Sequence, residues 1–158
     1  MTVLEKLESY LGARDIPFAH SVHRLAFTAQ GVAQAEHISG RMVAKAVVLL
    51  ADGVFALAVL SADRLVDLRE LRSLMGVKDL RLATEREIQF LFPDCELGAM
   101  PPFGNLYGLP VYVESSLTRQ ETIAFNAGTH HDVLHMKFDD FCRAVDPVIL
   151  PFGRPLAA

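Results

Sequence analysis

The sequence predicts a mixed α+β fold in which a curved β-sheet carries helices on its outside. Two β-branched apolar runs, Val43 to Leu50 and Val54 to Leu60, are joined by a short glycine-containing loop. Capped amphipathic segments fall between strand-like runs in an irregular order rather than as a strict βαβ series. The chain has 158 residues and no repeat, low-complexity tract or linker. One domain over residues 1–158 is therefore expected, and at this length it buries roughly 68–70% of its unfolded surface, enough for a core without staples.

Thr2 and Glu5 form a capping-box pattern, Leu4, Leu7 and Leu11 mark one helical face, and Gly12 stops the helix. Pro17 opens an extended piece, Phe18 to His23. Thr28 can cap a second, alanine-rich helix ending near Ser39-Gly40. In the next hairpin neither strand alternates cleanly, so both are expected to have two covered faces, with Ala51-Asp52-Gly53 as the loop. Asp67 to Met75 reads as an amphipathic helix closed by Gly76, and Thr84 with Glu87 repeats the capping box. From Gly98 to Pro110 glycine and proline are so dense that no regular element is expected. Val111 to Val113, Thr122 to Phe125 and Val133 to Phe138 read as strands, Asn126-Ala127-Gly128 as a turn. Asp139 or Asp140 can cap a last helix through Val145.

A composition of 51% hydrophobic and 22% charged residues excludes intrinsic disorder. Fifteen Lys and Arg against 19 Asp and Glu leave a net charge of −4, which argues against extended binding along a nucleic-acid backbone. Cys95 and Cys142 form no CxxC and no four-cysteine zinc pattern, as expected of a reduced intracellular protein. No run approaches the roughly 20 apolar residues of a membrane span, and the N-terminus lacks a signal-peptide pattern, so a soluble, cytoplasmic protein is expected.

Three features could carry chemistry. Lys45 interrupts an apolar strand, either snorkelling to water or offering a fixed cation to a phosphate or oxyanion. The loop Gly98-Ala-Met-Pro-Pro-Phe-Gly104 is either a connector or a rigid source of backbone N–H groups. His131 and His135 would suit one metal on a helix, but on a strand they stand about 13 Å apart. That leaves His130 or His131, beside the Gly128 turn, for acid–base or hydrogen-bonding work. No GxSxG, GxGxxG, GxxxxGK[ST] or HExxH pattern occurs.

Taken together and in order, Val43-Ala-Lys45-Ala-Val-Val-Leu-Leu50, Gly98 to Gly104, Gly108-Leu-Pro-Val-Tyr-Val113 and Asn126-Ala-Gly128, with the early His23 and Thr28, resemble the YbaK/EbsC family. This is the editing domain also inserted in bacterial prolyl-tRNA synthetases. The resemblance runs from about residue 3 to residue 146. It implies a barrel-like mixed sheet surrounded by helices and a free-standing aminoacyl-tRNA deacylase. It places the catalytic roles on Lys45, Gly98 and His130, with His131 adjacent to the last. It implies substrate contacts from His23, Ala46, Met100, Pro101, Pro102, Phe103, Gly104, Gly128, Thr129 and His131. It implies no metal or other cofactor. The implied partner is the 3′ end of a mischarged tRNA, tRNA-Pro the first candidate, with a synthetase as a docking partner and neither DNA nor membrane. Ala46 stands where members that edit alanine on tRNA-Pro often carry Asn, so the resemblance does not carry over the amino acid.

An aminoacyl ester is already activated, so positioning water and stabilising the oxyanion can suffice. The same pocket would also serve a non-catalytic aminoacyl-adenosine, small-ligand or tRNA-end binding module, and a His-dependent metallohydrolase is the third reading. Residues 1–45 hold five Lys and Arg against four acids, leaving 10 against 15 for the rest. The acidic total thus still leaves room for a small basic mouth on a terminal nucleotide.

Overall fold

A computed structural model describes residues 1–156. Helix α1 (Val3–Gly12) starts at the Thr2–Glu5 capping box and buries Val3, Leu7 and Leu11. Strand β1 (Ala19–Val22) leads to helix α2 (Ala29–Glu36), capped by the Thr28 hydroxyl, which accepts from the Gly31 N–H. This helix stops before Ser39 because His37 takes the left-handed conformation at φ 57°. After a 3-10 turn at Gly40–Met42 come β2 (Ala44–Ala51) and β3 (Val54–Ser61). Their hairpin turns on Asp52 and Gly53, at φ 46° and 82°, the paired positive angles that a tight two-residue connection requires.

Then follow β4 (Arg64–Val66), α3 (Leu68–Met75), β5 (Leu80–Leu82) and α4 (Glu85–Leu91). Asp67 caps α3, Gly76 closes it at φ 68°, and the Thr84–Glu87 capping box opens α4. The expectation of no regular element from Gly98 to Pro110 needs one correction: Gly104–Tyr107 forms a 3-10 turn before β6 (Val111–Glu114). A second such turn, Ser115–Arg119, precedes β7 (Thr122–Asn126) and β8 (Asp132–Lys137). Helix α5 (Phe138–Val145) begins before the expected Asp139 or Asp140; both sit inside its first turn, where a carboxylate complements the dipole, and Lys137 is the cap. Strands β9 (Val148–Leu150) and β10 (Gly153–Pro155) complete the described chain.

The strands form a five-stranded sheet in the order β5-β2-β3-β6-β9, a three-stranded sheet β1-β8-β7 and the pair β10-β4. Pairings β3–β6 and β6–β9 are parallel and the other ladders antiparallel, so the architecture is mixed α+β as expected. The barrel-like expectation needs correction, because the sheet does not close. The two larger sheets meet at an isolated parallel bridge, Val43 to Ala124. Both faces of β2 are covered. Ala44 and Val48 join the larger core, where the Phe103 ring lies 5.5 Å from those of Phe125 and Phe141. Leu49 packs on the other side with Leu60, Leu71 and Phe152. Among the described residues no helix is long and apolar enough to cross a membrane.

Phe103 is fully buried in this aromatic cluster. Phe103→Ala should therefore cost about 3–5 kcal/mol of unfolding free energy in urea titration. A loss under about 1 kcal/mol would place the ring outside the core.

Candidate functional site

The turn after β7 is built by its own hydroxyls and carboxylate. The Thr129 hydroxyl donates to Asp132 at 2.7 Å and accepts from the N–H groups of His131 and Asp132. Gly128 stands at φ 94°, and a Cβ there would lie 2.5 Å from the Cβ of Val3, so only glycine lets α1 and the turn approach this closely. The loop ahead of Met100 is laced to the same turn: Glu96 N–H donates to Gly128 O at 2.8 Å and Gly128 N–H to Ala99 O at 3.0 Å.

This lacing fixes His130. Its N–H donates to the Glu96 carboxylate at 2.7 Å, and its ring Nε2 lies 2.7 Å from Leu97 O. A carbonyl only accepts, so the proton of the neutral ring is on Nε2 and Nδ1 carries the lone pair. That Nδ1 is buried and has no hydrogen-bond partner among the described residues. The Phe27 ring lies against the imidazole at a centroid separation of 4.8 Å, although Phe27 itself is 66% exposed. A Cβ at Gly98 would stand 3.5 Å from His130 Cε1. Gly98 is exposed, sits at φ 86°, and its N–H makes no hydrogen bond among the described residues. A free backbone donor thus belongs to a residue that packs beside an imidazole with an unused acceptor.

His131 is exposed, and its ring lies 3.4 Å from His23 O. His23 N–H donates to His131 O, Ala26 N–H donates to His130 O, and His23 Nε2 is a second buried ring nitrogen without a partner. The structure therefore gathers Gly98, Gly128, Thr129, His130, His131 and His23. Met100, Pro101, Pro102, Phe103 and Gly104 are buried, with Met100 and Phe103 in the main core.

Lys45 stands elsewhere. Ala46 packs against the main core, whereas Lys45 lines an apolar depression with Val47, Leu65, Val66, Leu68, Leu82 and Arg154. Among the described residues it forms no hydrogen bond or ion pair with Gly98 or His130. Half-burial pushes its amine below the usual lysine range, partly offset by the charge of Asp63. The Val43–Ala124 bridge nevertheless leaves Lys45 and Asn126 each two residues further along adjoining strands.

Two groups escaped sequence reasoning. Glu96 and Phe27 hold His130 from loops that carry no motif of their own. Ser21, Glu36 and His135 form a cluster joining β1, α2 and β8, with His135 Nε2 at 2.9 Å from Glu36 and 3.0 Å from Ser21 Oγ. Burial alone would raise the Glu36 carboxyl, but hydrogen bonds from Ser21 and His135 outweigh it and hold it below its ordinary value. Period 2 along β1 and β8 could have suggested the Ser21–His135 diagonal, but not their pairing. Burial pushes the Cys95 thiol up to about 11, despite a contact from Tyr107, so at neutral pH it is protonated and a poor nucleophile. Among the described residues no cluster of three or more His, Cys, Asp or Glu is placed to hold a metal.

Residues 23–144 match the model of the aminoacyl-tRNA editing domain. The chain is 35% identical over 99 residues to the multifunctional Ser/Thr-tRNA deacylase ProXp-y of Escherichia coli (strain K12), covering 62% of this chain and 59% of that relative. The chain thus spans less than two thirds of the curated relatives it matches. It also superposes on the crystal structure of a candidate trans-editing enzyme for prolyl-tRNA synthetase, with TM-score 0.84 and 20% identity over 98% of both chains. A hypothetical protein, APE2540, superposes at TM-score 0.85 and 19% identity, over 94% of this chain and 99% of that one. These two likenesses establish the fold.

The half-buried Lys45 amine should lose its proton at lower pH than an ordinary lysine. Competitive acetylation followed by mass spectrometry across pH 7–11 should give Lys45 a lower labelling midpoint than Lys6 or Lys78. Equal midpoints would contradict the burial of its charge.

Proposed function

The chain belongs to the aminoacyl-tRNA editing domain family, and from that membership we propose that it is a free-standing deacylase that hydrolyses the ester of a mischarged tRNA. The observation that carries the reading is the pairing, within the matched residues, of the free Gly98 N–H with the unpartnered Nδ1 of His130. Water adds to the ester carbonyl carbon, and the developing oxyanion accepts from the Gly98 N–H. His130 Nδ1 accepts a proton from the attacking water or orients it through the ribose hydroxyl. The ester C–O bond then breaks, the proton passes to the ribose oxygen, and free amino acid leaves intact tRNA. The Phe27 ring lies against the His130 imidazole and must yield when the aminoacyl end enters.

Lys45 takes a phosphate of the terminal nucleotide. Its lack of any hydrogen bond or ion pair with Gly98 or His130 among the described residues supports that role over direct oxyanion contact. A half-buried ammonium also meets a phosphate with little competing water. Seryl and threonyl esters are the first candidate substrates, on the strength of the relative's name, with tRNA-Pro among the tRNAs to be tried. Discrimination by an apolar wall alone is modest, about 10–200-fold per methylene. The reaction takes place in the cytoplasm, beside the synthetases that make the errors, and needs no metal.

A panel of Ala, Ser, Thr and Cys esters on several tRNAs tests this. Wild-type protein should hydrolyse at least one. Lys45→Ala and His130→Ala should each lower kcat/KM about 10²-fold or more, and chelator should leave the rate unchanged. Undiminished turnover by both variants would overturn the mechanism. Binding of a non-hydrolysable aminoacyl-adenosine without turnover of any ester would make the chain a binding module instead.

A further inference from the structure

A second cavity, of about 340 Å³, lies at the end of the β2–β3 hairpin where the chain leaves β3. It is lined by Arg41, Arg64 and Arg119 with Ser61, Asp63, Ser116 and Gln120. These come from three separate turns: the 3-10 turn before β2, the β3–β4 connection and the 3-10 turn after β6. Its size falls within the roughly 300–1,000 Å³ of ligand sites, but such sites are usually apolar and this one is polar and cationic.

Three guanidinium groups against the one carboxylate of Asp63 give the lining a formal charge of +2, in a chain whose net charge is −4. Asp63 accepts from the Ser61 hydroxyl at 2.6 Å and lies 3.9 Å from Arg41. Arg64 and Arg119 make no ion pair or side-chain hydrogen bond among the described residues. Glu114, buried behind Ser116, is already occupied by the Ser116 and Gly153 N–H groups. Guanidinium forks of this kind match phosphate oxygens two at a time.

Position supplies the rest. Ser61 pairs with Ala44, next to Lys45 on the opposite face of β2, and Asp63 in the lining is near enough for its charge to act on the Lys45 amine, so the cavity lies at the same end of β2 as the proposed grip on the terminal nucleotide. We propose that Arg41, Arg64 and Arg119 form a second anionic subsite that holds the phosphodiester backbone of the tRNA beyond its terminal nucleotide. The inference rests on the deacylase reading and deepens it, because it assigns the part of the substrate that the Gly98–His130 recess does not touch.

Fluorescence titration of the full chain with deacylated bulk tRNA over 50–300 mM salt tests the subsite. Wild type should show a log–log salt slope of about −2 to −3, and Arg64→Ala/Arg119→Ala should bind about tenfold more weakly with a slope shallower by about 1–2. The charge-keeping Arg64→Lys/Arg119→Lys protein should recover most of the slope, which a merely misfolded variant would not. Hydrolysis of 3′-seryl-adenosine, which has no backbone beyond the terminal nucleoside, should be the same in all three proteins. If the double alanine variant binds tRNA as wild type does, the subsite is overturned. The same follows if AMP or inorganic phosphate alone saturates the cavity at micromolar concentration while tRNA affinity ignores both arginines. If wild type hydrolyses no 3′-aminoacyl-adenosine or mischarged tRNA, the deacylase reading fails, while the tRNA titration still decides the arginine subsite.

Discussion

The eight-pair register between β2 and β3, from Ala44–Ser61 to Ala51–Val54, is the constraint to which the remaining elements answer. Both faces of this hairpin are covered, by the Phe103 cluster on one side and by Leu71 and Phe152 on the other. A slip of one residue would exchange the faces and drive the Lys45 ammonium into the aromatic core. The Asp52–Gly53 turn, with its two positive φ angles, makes such a slip costly before any packing is considered. With the register held, β5 docks on one edge, β6 on the other, and Ser61 is set opposite Ala44.

Local physics explains why much of this fold can be read from the residues. Capping boxes at Thr2 and Thr84, the left-handed closure at Gly76 and the Asp52–Gly53 hairpin are decided within a few residues, and each stands where its chemistry puts it. Strands β4, β5, β9 and β10 are three residues each, too short for a period-2 pattern to form, and they exist because a neighbouring strand offers them a ladder. The end of α2 falls short of Ser39 for a related reason: nothing near His37 distinguishes a left-handed histidine from one more helical residue. Sheet closure is a property of distant pairings, and those pairings leave the sheet open.

The site divides in the same way. Gly98, Gly128 and a histidine at 130 or 131 are legible because turns demand glycine and a histidine beside a turn invites attention. Their mutual arrangement is not, since it depends on Glu96, Leu97 and Phe27, an acid and two apolar residues that look ordinary in sequence. Lys45 was conspicuous as a charge in an apolar run, yet the face it occupies follows from the hairpin register rather than from its neighbours. The Pro/Gly-rich loop shows the converse. Its residues from Ala99 to Gly104 are buried while Gly98 is exposed, so a rigid buried stretch and an exposed backbone turn are two parts of one segment.

The recess at His130 draws on residues near 23–27, 96–98 and 128–131, and its closing contacts link positions as far apart as Ala26 and His130. Residues 96–131 hold part of it, and the contacts from residues 23–27 complete it. Loop-closure entropy over such separations must be overcome before any of these contacts adds stability. The complete arrangement around His130 therefore arises together with the finished sheet. The setting of His130 is in this way absent from any nascent chain whose residues 96–131 have not yet left the ribosome.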